Sequence, residues 1–321
     1  DEAGSGPSVV LLPALSSIST RAEMRQLFDR LAPEQVAAID WPGFGDPVRP
    51  RADWTPDALS AFLNWFLSEI VLPPHAIVAA GHAATYALYQ AVYRPGTIDR
   101  LVFIAPTWRG PLPTMMGGQR RWFARIRDAV DLPGLGPFLY RINVSRPIIT
   151  KMAREHVYSD PDWLSGDRLV AKLAITRAPG ARHGSVRFVS GGLDLVDSRD
   201  AFRDFARRVN VPILVIYGDE TIAEGCHDRP MQFGSGSFVV RFGRHDCSRA
   251  FLLRRLRDSS DFAAYPDDAV QRNGLVQSVA VRHGQIRFHA AIIKLLFLLE
   301  NFMVRNCAKP GMALKWAVRR G

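Results

Sequence analysis

Three short stretches of the sequence carry residue types that can take part in catalysis, each placed directly after an apolar run. They are Gly81-His82-Ala83-Ala84-Thr85, Gly218-Asp219-Glu220 and Gly243-Arg244-His245-Asp246. A histidine with a carboxylate partner transfers protons in general acid–base catalysis. The alanines of the first stretch have no hydroxyl, so they cannot attack a carbonyl carbon or form an acyl-enzyme.

The stretches are positioned by an alternation of apolar runs and helical patterns. Helical spacing predicts helices over about 21–32, from Thr55-Pro56 to about 70, and directly after Gly81. Short apolar runs predict buried strands at 8–12, 35–39, 75–80, 101–105, 212–217 and 238–242. This order predicts an α/β fold with a doubly wound, mostly parallel sheet that is covered on both faces.

The alternation of predicted strands and helices is interrupted by one long segment, and it stops before the end of the chain. Residues 8–107 and 209–250 are predicted to form the two parts of a core, and residues 108–208 a helical cap between them. Residues 251–321 form a basic tail with weak periodicity, whose structure is left open. We expect an apolar pocket between core and cap, lined by aromatic residues and methionines of the insert, which are Trp108, Met115, Met116, Trp122, Phe123, Phe138 and Tyr140.

The charge is strongly positive but unevenly distributed. The net charge is +10, and residues from 251 onward hold 12 Lys and Arg against 5 Asp and Glu. The rest of the chain has no run of basic residues interleaved with aromatics, so no nucleic-acid partner is expected. A nucleic-acid role through the tail is the weakest of the hypotheses.

Composition also bears on location. No stretch of 18 uncharged apolar residues is present, which predicts no membrane span, and the first residues do not have the pattern of a signal peptide. Cys226, Cys247 and Cys307 have neither metal-binding spacing nor the even number of a disulfide framework. We therefore expect free thiols, a cytoplasmic location and neither a metal nor another cofactor.

The joint order of these motifs resembles the α/β-hydrolase superfamily. Asp40-Trp41-Pro42-Gly43-Phe44-Gly45 looks like the Asp-x-Pro-Gly-x-Gly turn of that family, and the Gly81–Thr85 stretch lies where the family has its Gly-x-Ser-x-Gly nucleophile elbow. The resemblance covers about residues 8–219. It implies the same fold, a cap domain and an oxyanion hole.

The resemblance also identifies site residues, and a departure from the family pattern. Ala83 occupies the nucleophile position, so ordinary serine hydrolysis is not expected. Thr85 is an alternative nucleophile, or a hydroxyl that caps the helix. By position, the backbone amides of Leu15 and Ala84 are the candidates for the oxyanion hole.

The acid and the histidine of the family are less clearly matched. Asp219 is the candidate acid, or a solvated carboxylate at a strand end. Thr221 stands at the commonest offset of the family's acid. His245 is the candidate base, with His227 as its rival and a loop histidine without a role as the alternative.

These residues support three hypotheses for function. The first is a family member without its nucleophile that binds a small apolar ligand between core and cap, with little or no ester hydrolysis. The second is a serine-independent enzyme, of the lyase or cofactor-free oxygenase type, that uses His245 and an oxyanion hole. The third is a weak residual hydrolase. The oligomeric state is left open.

Overall fold

The computed structural model describes most of the first two thirds of the chain. Described in full or nearly so are residues 8–31, 34–45, 49–71, 76–156 and 162–218, and short strands are placed at 2–3, 238–242 and 254–255. The predicted residues Asp219, Thr221, His227 and His245 lie outside these ranges.

A single sheet of eight strands holds the described strands together. In chain order they are β1 (Glu2–Ala3), β2 (Ser8–Leu12), β3 (Gln35–Ala38), β4 (Ala76–Ala80), β5 (Arg100–Ile104), β6 (Ile213–Gly218), β7 (Phe238–Phe242) and β8 (Arg254–Arg255). Their order across the sheet is β1-β3-β2-β4-β5-β6-β7-β8. The six strands from β3 to β7 in this order run parallel, and β1 and β8 pair antiparallel at the two edges. The α/β fold and the doubly wound, mostly parallel sheet are thereby confirmed.

The strand order reverses direction between β2 and β4. The chain passes from β2 outward to β3 and then returns to the other side of β2, where β4 pairs with it in parallel. In open α/β sheets the crevice beyond the carboxyl ends of the strands at such a reversal is the usual place for a ligand. The residues that follow β2 and β4 are therefore the first place to look for a site.

Ten α-helices accompany the sheet in the described part of the chain. They are α1 (Arg25–Leu31), α2 (Pro56–Trp65), α3 (Ala83–Tyr93), α4 (Pro111–Met115), α5 (Trp122–Asp131), α6 (Leu135–Asn143), α7 (Arg146–His156), α8 (Gly166–Thr176), α9 (Ala181–Val189) and α10 (Arg199–Arg208). A 3-10 turn, Arg21–Met24, precedes α1, and a π-helical turn, Phe66–Ile70, follows α2. No helix in the described ranges is long and apolar enough to cross a membrane.

The main core cluster lies on one face of the sheet, against α2, α3 and α10, and strand residues of the opposite face, such as Leu11 and Val78, are also buried. The central strands are nearly continuous apolar runs, and Leu12, Ile77 and Phe103 are fully buried. Strands of this kind require cover on both faces, which the helices supply. Phe202 and Ala206 of α10 belong to this same cluster.

Helices α4–α9, residues 111–189, form an insertion between β5 and β6 that has small apolar clusters of its own. One cluster joins α5, α6 and α9 through Val130, Tyr140, Ala181 and Val186. A second lies along α7 and α8 and includes Ile149 and Leu169. We call this segment the helical insertion. The domain boundaries, including those of a cap at residues 108–208, stay predictions.

The apolar pocket predicted between core and cap stays a prediction, and the residues expected to line it differ in burial. Trp108, Phe123 and Tyr140 are buried. Met115, Met116, Trp122 and Phe138 are instead exposed, because the buried faces of their helices are taken by other side chains. These four residues do not line an enclosed pocket.

Backbone strain marks the carboxyl end of β5. Among the described residues, Ala105 is the one non-glycine residue with a positive φ, at +46°. Its amide donates to the carbonyl oxygen of Ile216 at 2.7 Å, which holds the backbone at this point. A left-handed conformation costs an L-residue about 1–2 kcal/mol, and glycine avoids this cost.

We expect Ala105→Gly to raise the free energy of unfolding by about 0.5–1 kcal/mol, since the relief of strain exceeds the added entropy of the unfolded chain. Urea denaturation measures the change. The control is Ala124→Gly at an exposed position of α5, which should lower stability by about 1 kcal/mol. A loss of stability in Ala105→Gly would contradict the strain.

Candidate functional site

A sharp bend joins β4 to α3 at the point where the strand order reverses. Strand β4 ends at Ala80, Gly81 has a φ of +52°, and α3 begins at Ala83. The amide of Gly81 donates to the carbonyl oxygen of Ile104 at 2.9 Å, and its own carbonyl accepts from the amide of Thr107 at 3.1 Å. These bonds fix the bend to the neighbouring strand and to the loop that follows it.

The left-handed residue of this bend is Gly81 and not Ala83. The sequence motif predicted Ala83 at the apex, but the structure places it in the first turn of α3, where it is fully buried. The five residues centred on the bend are thus Ala79–Ala83. The predicted motif, Gly81–Thr85, begins two residues later. A side chain at residue 81 is the one that would project from the bend.

The space in front of Gly81 is bordered by the loop after β2. A Cβ atom added at Gly81 would lie 3.2 Å from the Cβ of Ala14 and 4.0 Å from the Oγ1 of Thr107. Ala14 is half-buried and directly precedes Leu15, one of the predicted oxyanion residues. The loops after β2, β4 and β5 therefore meet at this point.

The two predicted oxyanion amides differ in their availability. The amide of Ala84 donates to the carbonyl of Gly81 at 3.2 Å within the first turn of α3, so it is already used. Within the described ranges, the amides of Leu15 and His82 have no acceptor. His82 directly follows the bend, as Ala84 follows the predicted apex.

Thr85 has a structural role. Its side chain is fully buried, and its hydroxyl donates to the carbonyl oxygen of Thr107 at 3.0 Å. The bond ties the first turn of α3 to the loop after β5. A hydroxyl held in this way is not directed toward the bend, which removes the support for Thr85 as a nucleophile.

A buried polar cluster lies next to the bend and connects it to the segment after α9. His82 Nε2 lies 3.2 Å from the carbonyl oxygen of Leu193 and 3.5 Å from Asp194 Oδ1. The Tyr86 hydroxyl donates to the same Leu193 oxygen at 2.7 Å. The amide of Gly110 donates to Asp194 Oδ1 at 2.9 Å. The segment at residues 193–194 is thereby fastened both to α3 and to the loop after β5.

Burial keeps the acidic and basic members of this cluster neutral. Burial lowers the pKa of His82 to about 4, although the Leu193 carbonyl acts in the opposite direction. Burial raises the pKa of Asp194 to about 7, opposed by the Gly110 amide, Arg109 and Gln119. Between these values neither group is charged, so the 3.5 Å approach of His82 to Asp194 is not an ion pair there.

The same burial makes His82 unsuited to act as a catalytic base. The histidine side chain is 0% exposed, so no substrate reaches it, and a base with a pKa near 4 accepts protons weakly at neutral pH. We assign it a structural role. The sequence gives no signal for its partner Asp194, which is 112 positions further along the chain.

The predicted acid Asp219 and the predicted base His245 lie outside the described residues. Both assignments stay predictions, and the site at the bend is built without them. In the described ranges, no group of three or more His, Cys, Asp and Glu side chains is arranged to hold a metal ion.

A family model described as the alpha/beta hydrolase family matches residues 9–273. A search among curated protein sequences finds no significant match. Among solved structures, the fold is similar to a bromoperoxidase from Bacillus anthracis, with 17% identity and a TM-score of 0.52 over 76% of this chain and 86% of the other. It is also similar to the enol-lactonase from Burkholderia xenovorans LB400, with 15% identity and a TM-score of 0.54 over 75% of this chain and 86% of that one. At such identities, these structures support the fold alone.

Proposed function

Because the chain belongs to the alpha/beta hydrolase family, we propose that it is a member without a serine nucleophile. In this proposal it binds a small apolar ligand with one polar end beside the β4–α3 bend and hydrolyses esters slowly or not at all. One observation carries the proposal. From Ala79 to Ala84 no side chain offers a hydroxyl, a thiol or a carboxylate.

Neither the residue at the observed bend nor the residue at the predicted apex carries a nucleophile. Covalent catalysis requires an oxygen, sulfur or nitrogen atom that can attack the substrate from the bend. Gly81, at the observed bend, has no side chain, and Ala83, at the predicted apex, has only a methyl group. The polar residue between them, His82, is buried away from solvent.

The backbone of the bend still offers a place for an oxygen atom of a ligand. We propose that the amides of Leu15 and His82, rather than those of Leu15 and Ala84, form this place. These two amides have no acceptor in the described ranges, and they lie beyond the carboxyl ends of β2 and β4, where the strand order reverses. Such amides are suited to bind a carbonyl or carboxylate oxygen. The bound ligand would lie against the Ala14 side of the space in front of Gly81.

A serine-independent enzyme requires a base within hydrogen-bonding reach of the ligand. The histidine nearest to the bend in the described ranges is His82, and its burial and lowered pKa argue against that role. We therefore favour ligand binding over the lyase or oxygenase alternative, which depends on His245.

Binding of decanoate, a carboxylate with an apolar tail, tests the proposal by equilibrium dialysis. We expect Ala14→Phe to weaken binding at least about tenfold, because the ring fills the space in front of Gly81 and displaces the tail, whose burial contributes about 1.5–3 kcal/mol per large apolar group. Ala124→Phe, at an exposed position of α5, is the matched control and should not change binding. Equal binding by wild type and Ala14→Phe would argue against this location.

A further inference from the structure

Helix α6 exposes an apolar side to solvent. Leu135, Phe138, Leu139 and Ile142 are 47%, 62%, 36% and 50% exposed. At 3.6 residues per turn, their spacing places them within an arc of about 100° on one side of the helix. We call these four residues the α6 stripe. The helix packs on the rest of the insertion with a different side, which carries the buried Gly136 and Tyr140.

Further exposed apolar residues lie in the same segment of the chain as the stripe. Of the 13 large hydrophobic residues that are exposed in the described ranges, nine lie between residues 115 and 148. Besides the stripe they include Leu132 in the turn before α6 and Trp122 at the start of α5. The four residues of the α6 stripe form one exposed apolar patch, and contiguous patches of this kind mark contacts with a partner more often than scattered exposed residues do.

The charges around the stripe have one predominant sign. Residues 115–148 contain six arginines and two aspartates. Five of these arginines are exposed, and none of the five forms an ion pair with another described residue; they are Arg120, Arg121, Arg125, Arg141 and Arg146. Arg141 lies within α6 itself, next to the stripe.

We propose that the α6 stripe and its surrounding arginines bind the surface of an anionic lipid bilayer. An amphipathic helix with a broad apolar side and flanking basic residues lies in the interface, with its apolar side chains inserted and its cations at the lipid phosphates. Arginine side chains suit this position because their apolar stems extend along the bilayer surface.

A second copy of the chain is the competing occupant, and the charges disfavour it. A symmetric pair formed through α6 would place the same surface of both copies face to face. Both copies would then bring the same predominantly positive surface, including Arg141 and Arg146, into one interface, and like charges repel. A bilayer of anionic lipids supplies the opposite charge instead.

Vesicle flotation of the full chain tests the proposal, with phosphatidylcholine vesicles compared to vesicles that also contain phosphatidylglycerol. We expect wild type to float with the anionic vesicles and much less with the neutral ones. The variant Phe138→Ser/Leu139→Ser should bind at least about tenfold more weakly, because it removes two inserted side chains. Val170→Ser, which changes an apolar residue that is 66% exposed on α8, is the matched control and should bind like wild type.

The charge contribution is tested separately with Arg141→Gln/Arg146→Gln. This variant should lose affinity for anionic vesicles, as should wild type at high salt, where the Debye length falls from about 10 Å at 0.1 M to about 3 Å at 1 M. This variant keeps all apolar side chains of the stripe. It therefore still tests binding to anionic bilayers if Phe138→Ser/Leu139→Ser does not fold.

Two results would overturn the proposal. One is wild type that floats with neither kind of vesicle. The other is a wild-type dimer, seen by light scattering after size-exclusion chromatography, that Phe138→Ser/Leu139→Ser converts to a monomer while vesicle binding is unchanged. The second result would assign the stripe to self-association.

Discussion

Asp194→Asn is expected to stabilise the folded protein by about 4 kcal/mol at pH 8 and by little at pH 4, since each unit of pKa difference corresponds to about 1.4 kcal/mol. The side chain of Asp194 is 4% exposed, and burial raises its pKa from 3.8 to about 7. The variant keeps the shape of the side chain and an acceptor for the Gly110 amide, but it does not ionise.

The direction follows from proton binding in the two states. Between about pH 4 and pH 7 the unfolded chain releases the Asp194 proton while the folded protein keeps it, so the wild-type contribution of this group falls as the pH rises. Below about pH 4 both states hold the proton, and the effect is absent. His82, with its pKa lowered to about 4, acts in the opposite direction between about pH 4 and 6.5, but it is present in both proteins.

Urea denaturation at a series of pH values measures the difference between Asp194→Asn and wild type. The matched control is Asp197→Asn, which changes an exposed carboxylate three positions away. If the difference in unfolding free energy between the two proteins stays constant or decreases from about pH 4 to about pH 8, folded Asp194 does not keep its proton in this range, and the raised pKa is contradicted.

The second large effect concerns ester hydrolysis. We expect wild type to hydrolyse p-nitrophenyl butyrate about a million-fold more slowly than an intact serine esterase, because removal of a triad nucleophile costs about that factor in kcat. The prediction depends on the absence of a hydroxyl, thiol or carboxylate from Ala79 to Ala84 and on the burial of His82. It does not depend on the residues beyond 218.

Serine introduced at two positions distinguishes the observed bend from the predicted one. A serine in Ala83→Ser would be buried in the first turn of α3, where Ala83 is 0% exposed. A serine in Gly81→Ser would project from the bend toward Ala14. We therefore expect at least about tenfold more covalent modification by a fluorophosphonate in Gly81→Ser, which costs about 1–2 kcal/mol of stability for its positive φ.

Most of the sheet could be predicted from the sequence because its signals are local. The runs at 8–12, 75–80 and 101–105 are almost entirely apolar, and the observed strands β2, β4 and β5 agree with them to within one residue at each end. A parallel strand buried on both faces needs no alternation, so continuous hydrophobicity is sufficient.

The site was predicted less completely, because its geometry depends on contacts between distant segments. The motif Gly81–Thr85 fixed the region of the bend but placed its apex two residues late, since the end of β4 is set by the bond from the Gly81 amide to Ile104. The approach of His82 to Asp194 joins residues 112 positions apart and has no local signature. In the same way, the stripe at Leu135 and Phe138 has the spacing of a buried face, and only the packing of α6 shows that it faces solvent.

Intact mass measurement after incubation of wild type with a fluorophosphonate probe tests most directly whether the bend has lost its nucleophile. The probe reacts with activated serine nucleophiles and leaves a stable adduct of known mass. With no nucleophile at the bend, wild type should stay unmodified. Gly81→Ser, which introduces a hydroxyl at the bend, is the comparison variant. One adduct per wild-type chain, located on a serine or threonine near the loops after β2, β4 and β5, would contradict the loss of the nucleophile and identify an active hydrolase.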